Sequence, residues 1–503
     1  MDNVGPQPSP TISIIDHIKA AVPQSHKKDN NSLVNECISE GFMKLSVDDR
    51  NKVEEEICGN KCMAHEETPE MLETSLANLK IHLDAIPYKK KVGYNKSQEL
   101  PKSHINDDCF RLRFLRSQFF DEREAALRLV KYCDFVLELF GSFALERHIR
   151  LEDFQKKEKK WLQKGYVQLM PFRDQSGRRI ILQIIDSNVL MEQITRLKLY
   201  HYTAMVATED VESQRRGVVL VVWPGGAGKD WSKRQLPDKR ARHLVTRRHE
   251  VIPMRYAGYH YCMPEIPVFR LVRAFAVLYV IRSEIKSRMK FHIGEDLELR
   301  YELRGYGIPV EFIPVTGTGN IKTNYLRQWI HVRKIVEAEA RYNGNIAVTG
   351  RSTSARIVEC PGSSDVIFKP GKRMVCHPGN ALFQQLIVSK ASEYTSTSSK
   401  RGLYRWLSRE IVEKRGGRFL KWNDDGYWTE IEDEAQITIK ISTACKAVLN
   451  KMKKSARASK NERVVDSSTH SFNNNNGGSS AAPKTEEICC EIGGNNKRKR
   501  STD

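Results

Sequence analysis

Val218–Val222 reads VVLVV, five aliphatic residues in a row with no polar position on either parity. A strand with one wet face would alternate, so this run predicts a strand covered on both faces, as in the middle of a parallel or mixed sheet. Upstream, Ile180–Ile185 is a second short apolar run, and the stretch between them carries a helical pattern at 190–213. Strand, helix and strand at that spacing predict a βαβ crossover. Working outward toward the C-terminus, the pattern predicts a helix at 239–251, a Tyr-rich strand with Tyr256, Tyr259 and Tyr261, and a strongly apolar helix at 266–282. A strand at Phe291 and a last one at Val310 to Val315 follow, and the unit closes near 335.

Toward the N-terminus the period changes from 2 to 3.6. Ala125, Leu129, Tyr132, Val136 and Leu139 mark a helix that ends at Gly141, and Asp107 and Asp108 stand as caps before CFRLRFLRS. Helical patterns at 32–45, 47–57 and 69–86 make an acidic prefix. The expected organisation is a flexible arm at 1–31, a helical prefix and connection at 32–100, and a helical lobe at 101–150. An α/β domain follows at 151–335, then a linker at 336–357, a mostly helical C-terminal domain at 358–452 and a disordered tail at 453–503.

The 503 residues carry a net charge of +20, distributed unevenly. Residues 1–100 hold 12 Lys/Arg against 16 Asp/Glu, 101–350 hold 43 against 29, and 351–503 hold 27 against 17. Such a surface attracts phosphate on a lipid leaflet or a nucleic acid, and composition does not separate the two. No apolar window reaches the ~18 residues of a spanning helix, and MDNVGPQPSP has no secretory pattern. The expected location is cytoplasmic, with transient visits to membranes; the terminal KRKR keeps nuclear import open. Eleven cysteines without a repeating framework fit reduced thiols.

The order FRLRFLRSQFFDEREAALRLV, GYVQLMPFRDQSGRRIILQIID and MRYAGYHYCMPEIPVFRLVRAFAVLYVIRSEIKSRMKFHIG resembles the CRAL-TRIO lipid-binding domain with its helical lobe, over residues 105–320. The resemblance implies a mixed sheet flooring a lipid cavity under a mobile gate helix. It places Phe269, Val272, Phe275, Leu278 and Tyr279 of the gate with Val219, Val221, Tyr259, Tyr261 and Phe291 around the lipid. Arg270, Arg273, Lys286, Arg288 and Lys290 become contacts to phosphate or membrane. The gate read as Ile266 to Ile281 spans about 24 Å, too short for a bilayer; an ordinary buried helix is the alternative. The family's headgroup positions fall on Met254 and Met289, which carry no charge, so the lipid is left unnamed.

A second resemblance is to an uncharacterised algal domain, through DVIFKPGK (365–372), HPGN (377–380) and RGGRFLKW (415–422). There His377, Asn380, Arg415, Arg418, Lys421 and Trp422 form a basic and aromatic set able to meet nucleic acid, or else a solvated face over core tryptophans. WPGGAGKD is no phosphate loop, because Trp223 stands at its first glycine and Asp230 where Ser or Thr must bind magnesium. Cys58, Cys62 and His65 have no second ligand pair. The fold expectation is therefore α/β, a CRAL-TRIO-like mixed sheet with a helical lobe and a separate C-terminal domain. The functional expectation is binding and transfer of a small hydrophobic lipid, without enzymatic activity, cofactor or metal, with nucleic-acid binding as the alternative.

Overall fold

The computed structural model describes residues 43, 45–185, 191–225, 239–265, 283–342, 357–369, 377–390 and 397–469. Residues 1–444 are one compact unit and 445–503 a second. The proposed gate at 266–282, the arm at 1–31 and most of the linker and tail lie outside the described residues.

Helices come first. α1 (Val47–Ile57) starts where the Ser46 hydroxyl accepts the Asp49 amide, and α2 (Pro69–Ala85) where Thr68 accepts that of Met71. α3 (Val92–Gln98) and α4 (Asp108–Ser117) follow, the latter capped by Asp107. α5 (Glu122–Phe140) buries Ala125, Leu129, Tyr132, Val136 and Leu139, and stops at Gly141 with φ 101°. α6 (Phe143–Glu146) and α7 (Lys156–Lys164) lead into the sheet.

The five-stranded sheet has the order β1 (Val167–Leu169), β2 (Arg179–Ile185), β3 (Val218–Pro224), β4 (Tyr256–Met263), β5 (Met289–Ile293). β1 is antiparallel to β2 and the other pairings are parallel. α8 (Gln193–Ala207) and α9 (Val211–Arg216) join β2 to β3, and α10 (Lys239–Val251) precedes β4. Because the strands step one way, right-handed crossovers put these helices on one face. Val218, Leu220 and Val222 accordingly join a core with Leu197 and Tyr200 of α8, Leu244 of α10, and Leu129 and Val136 of α5. Their alternates Val219, Val221 and Trp223 enter a second core on the opposite face. All five residues of VVLVV are buried, worth on the order of 10 kcal/mol together.

What covers that opposite face differs from the expectation. After α11 (Ser283–Lys286) and β5, α12 (Asp296–Gly305) supplies Leu299 and Leu303. The anticipated strand at Val310 to Val315 is a 3₁₀ turn at Val310–Phe312, with one isolated bridge between Val315 and Ile321. α13 (Asn324–Tyr342) follows. The rest of the cover is a second sheet of β6 (Ile357–Val358), β7 (Val366–Phe368), β8 (Phe419–Trp422) and β9 (Trp428–Glu430), ordered β6-β9-β8-β7, with α14 (Pro378–Lys390) and α15 (Thr397–Val412) between β7 and β8. Val358, Ile367, Leu420 and Trp428 share a core with Ile180, Leu182 and Val219. The C-terminal region is mostly helical but not separate: beside its three helices it has a small mixed sheet of its own, which closes the face that the crossover helices leave bare. α16 (Glu434–Thr469) runs from the first unit into the second. Among the described residues no helix is long and apolar enough to cross a membrane.

Candidate functional site

On the face bearing α8 and α10, the tyrosines of β4 form a file. Parallel pairing sets Tyr259 beside Leu220 and Met289, and Tyr261 beside Val222 and Phe291. The Tyr259 and Tyr261 rings stack at 6.5 Å and 6°, and Tyr261 lies 5.7 Å from Phe291. At the inner end Tyr256 shares its hydroxyl with Tyr200 at 2.6 Å and with His249 Nδ1 at 2.8 Å. Burial pushes the Tyr200 and Tyr256 phenols up and the His249 ring well down, so all three are neutral at pH 7.

The ten lipid-facing candidates therefore divide. Tyr259, Tyr261 and Phe291 come together; Val219 and Val221 point to the opposite face, under the second sheet. A run apolar at every position hides its parity in the sequence; pairing with β4 reveals it. Phe269, Val272, Phe275, Leu278 and Tyr279 lie outside the described residues, as do Arg270 and Arg273.

Two of the other cation candidates, Arg288 and Lys290, meet carboxylates of α1. Arg288 and Arg255 grip opposite oxygens of Glu56, which is 1% exposed. Lys290 reaches Glu54 at 2.7 Å, and Lys286 ends α11 half-buried. Burial would raise the Glu56 carboxyl, but Arg255 and Arg288 outweigh it and hold it below the usual range. Beside this clasp His260 Nδ1 meets His292 Nε2 at 3.0 Å, and His292 Nδ1 meets Glu302 at 2.5 Å. Desolvation lowers both imidazoles, His260 strongly.

The six C-terminal candidates are largely builders of the second sheet. Asn380 accepts the Ile367 amide at 2.8 Å and donates to its carbonyl at 3.0 Å, tying α14 to β7. Arg418 holds buried Asp365 at 2.7 Å through its guanidinium and at 2.9 Å through its amide. A Cβ on Gly379 or Gly417 would strike the backbone of Ser364–Asp365, which is why the HPGN and GGR motifs need glycine. His377 is buried, with burial pushing its pKa down to about 4. Arg415 lies 3.5 Å from Glu410. Lys421 pairs in register with Thr429 on β9. Trp422 packs edge-on to Trp428 at 4.8 Å, with the Lys369 ammonium 3.2 Å from its ring centre.

Between the sheets, a small open cleft is lined by Trp422, Trp428 and Lys369 together with Tyr325, Trp329 and Glu359. Trp329 donates its indole N–H to Glu359 at 2.7 Å, and Glu359 also binds Arg179 at 3.0 Å and Arg333 at 3.1 Å. The sequence reading passed over Trp329 and Glu359: one sits in an unremarkable amphipathic helix and the other beside a linker. Among the described residues no group of three or more His, Cys, Asp and Glu side chains could hold a metal ion, Cys58, Cys62 and His65 included.

In comparison with known proteins, residues 365–447 match a family model described as "Domain of unknown function (DUF6824)", which spans β7 to the first part of α16. No curated protein matches the chain.

Proposed function

We propose that this protein binds a small hydrophobic lipid in a CRAL-TRIO-like α/β unit and presents or transfers it at membranes. The observation that carries the reading is the aromatic file Tyr259–Tyr261–Phe291 on the face that takes the crossovers. β4 and β5 are parallel neighbours, and the connection between them contains the apolar stretch 266–282. Enclosing an acyl chain there would contribute ~0.8 kcal/mol per CH₂, on the order of 10 kcal/mol for a long chain. Escape into water is then slow, and exchange requires a membrane.

The test is mass spectrometry of lipids extracted from the purified full chain. The full chain is needed because the second sheet closes the core of the first. A lipid class retained near one molecule per chain is the expected result. A chain that carries none, and takes none from mixed vesicles, refutes the proposal.

A further inference from the structure

The strongest unassigned surface is α7. Its N-terminus is fixed by a reciprocal cap between Gln155 and Glu158, and its end by Gly165 in the left-handed region at φ 79°. Leu162 and Glu158 turn inward, Glu158 to meet Lys198 at 2.9 Å. Every lysine of the helix, Lys156, Lys157, Lys159, Lys160 and Lys164, is exposed. Lys157 meets Glu192, Lys159 donates to the Glu152 carbonyl at 3.0 Å, and Lys164 lies 3.9 Å from the centre of the Trp161 ring. Lys156, Lys160 and Lys164 follow at i,i+4, where like charges repel and destabilise a helix. A nearby polyanion would relieve that repulsion.

We propose that α7 is the docking face for an anionic lipid leaflet. The choice of membrane as the polyanion rests on the lipid-carrier reading and on residue type. The helix presents lysines without a single arginine. Lysine is a point charge suited to a diffuse leaflet potential, whereas arginine forks are the better match to individual phosphates. Trp161, half-buried beside Lys164, is the side chain that favours a membrane–water boundary. By contrast Arg288 and Lys290, cations first assigned to the membrane, are held by Glu56 and Glu54.

The experiment compares the full chain with Lys156→Gln/Lys160→Gln/Lys164→Gln in sedimentation with phosphatidylcholine vesicles, with and without phosphatidylserine, and in binding to a DNA duplex. Each lysine near the surface contributes about 1 kcal/mol, roughly five-fold, so the triple variant loses about 100-fold in partition onto the anionic vesicles at low salt. Its thermal midpoint is equal or higher, since repulsion is removed. Undiminished partition of the variant, equal binding of wild type to neutral vesicles, or a loss confined to duplex nucleic acid overturns the proposal. Lipid extracted from the same two proteins separates the two readings: docking lost with cargo retained supports both, and docking lost with no cargo in either leaves the docking face standing and removes the carrier.

Discussion

Glu56→Gln should loosen α1 on the sheet. The carboxylate is 1% exposed and bridges Arg255 and Arg288, themselves 4% and 11% exposed, while also accepting the Met63 amide at 3.0 Å. Glutamine keeps the shape and one acceptor but leaves two buried guanidinium groups without a counter-charge. Breaking one partner of a buried pair costs about 3–5 kcal/mol. The apolar part of the docking is Val53 and Ile57, each worth about 1.5–3 kcal/mol when fully buried, so the loss is comparable to the whole hydrophobic contribution. Arg178 still reaches the Ile57 carbonyl at 3.3 Å, so α1 is loosened rather than expelled. At about 1.4 kcal/mol per decade, amide exchange in residues 47–57 should quicken by roughly 100- to 4000-fold, with smaller changes in α5 and β3. Glu54→Gln is the contrast: Glu54 is 42% exposed and its pair with Lys290 is worth about 1 kcal/mol or less. If Glu56→Gln leaves α1 protected within ten-fold of wild type, the clasp does not hold the prefix.

Other outcomes follow from the buried polar groups. Burial pushes His104 to about 4, His201 to about 3 and His377 to about 4, so above pH 6.5 folded and unfolded states are both neutral at these sites. As pH falls below 6.5 only the unfolded state gains protons, and each histidine removes up to ~1.4 kcal/mol per pH unit; melting temperature should drop steadily from pH 6.5 toward 4. Gly417→Ala, whose Cβ meets the Ser364 carbonyl, should destabilise by roughly 2 kcal/mol or more in denaturant unfolding, whereas Gly305→Ala at the open end of α12 should be neutral or slightly stabilising. Arg333→Met leaves Glu209 to solvent and Glu359 with only Arg179 and Trp329, and should cost about 1–3 kcal/mol in the same assay.

Most helices of the prefix and lobe were legible because they carry their own punctuation, Ser46, Thr68, Asp107 and Asp121 at the starts, Gly141 and Gly165 at the ends, whereas α3, which has no side-chain cap, reads in the sequence as a polar connection. The second sheet was not, because its strands are two to four residues long and set no period. One local signal was available: Asp425–Gly426 between FLKW and YWTE, with Gly426 at φ 89°, is the turn of the β8–β9 hairpin.

By itself the sequence determined that VVLVV is buried on both faces, since aliphatic side chains at every position leave no wet side. It could not say what lies against each face. That depends on pairing register, which turns Tyr259 and Tyr261 one way and Val219 and Val221 the other. It depends also on contacts between residues far apart in the chain: Glu56 with Arg255 and Arg288, Arg179 with Glu359, Ile180 with Leu420 in one core. Local pattern encodes which side chains must leave water, and only the closed chain decides which of them meet.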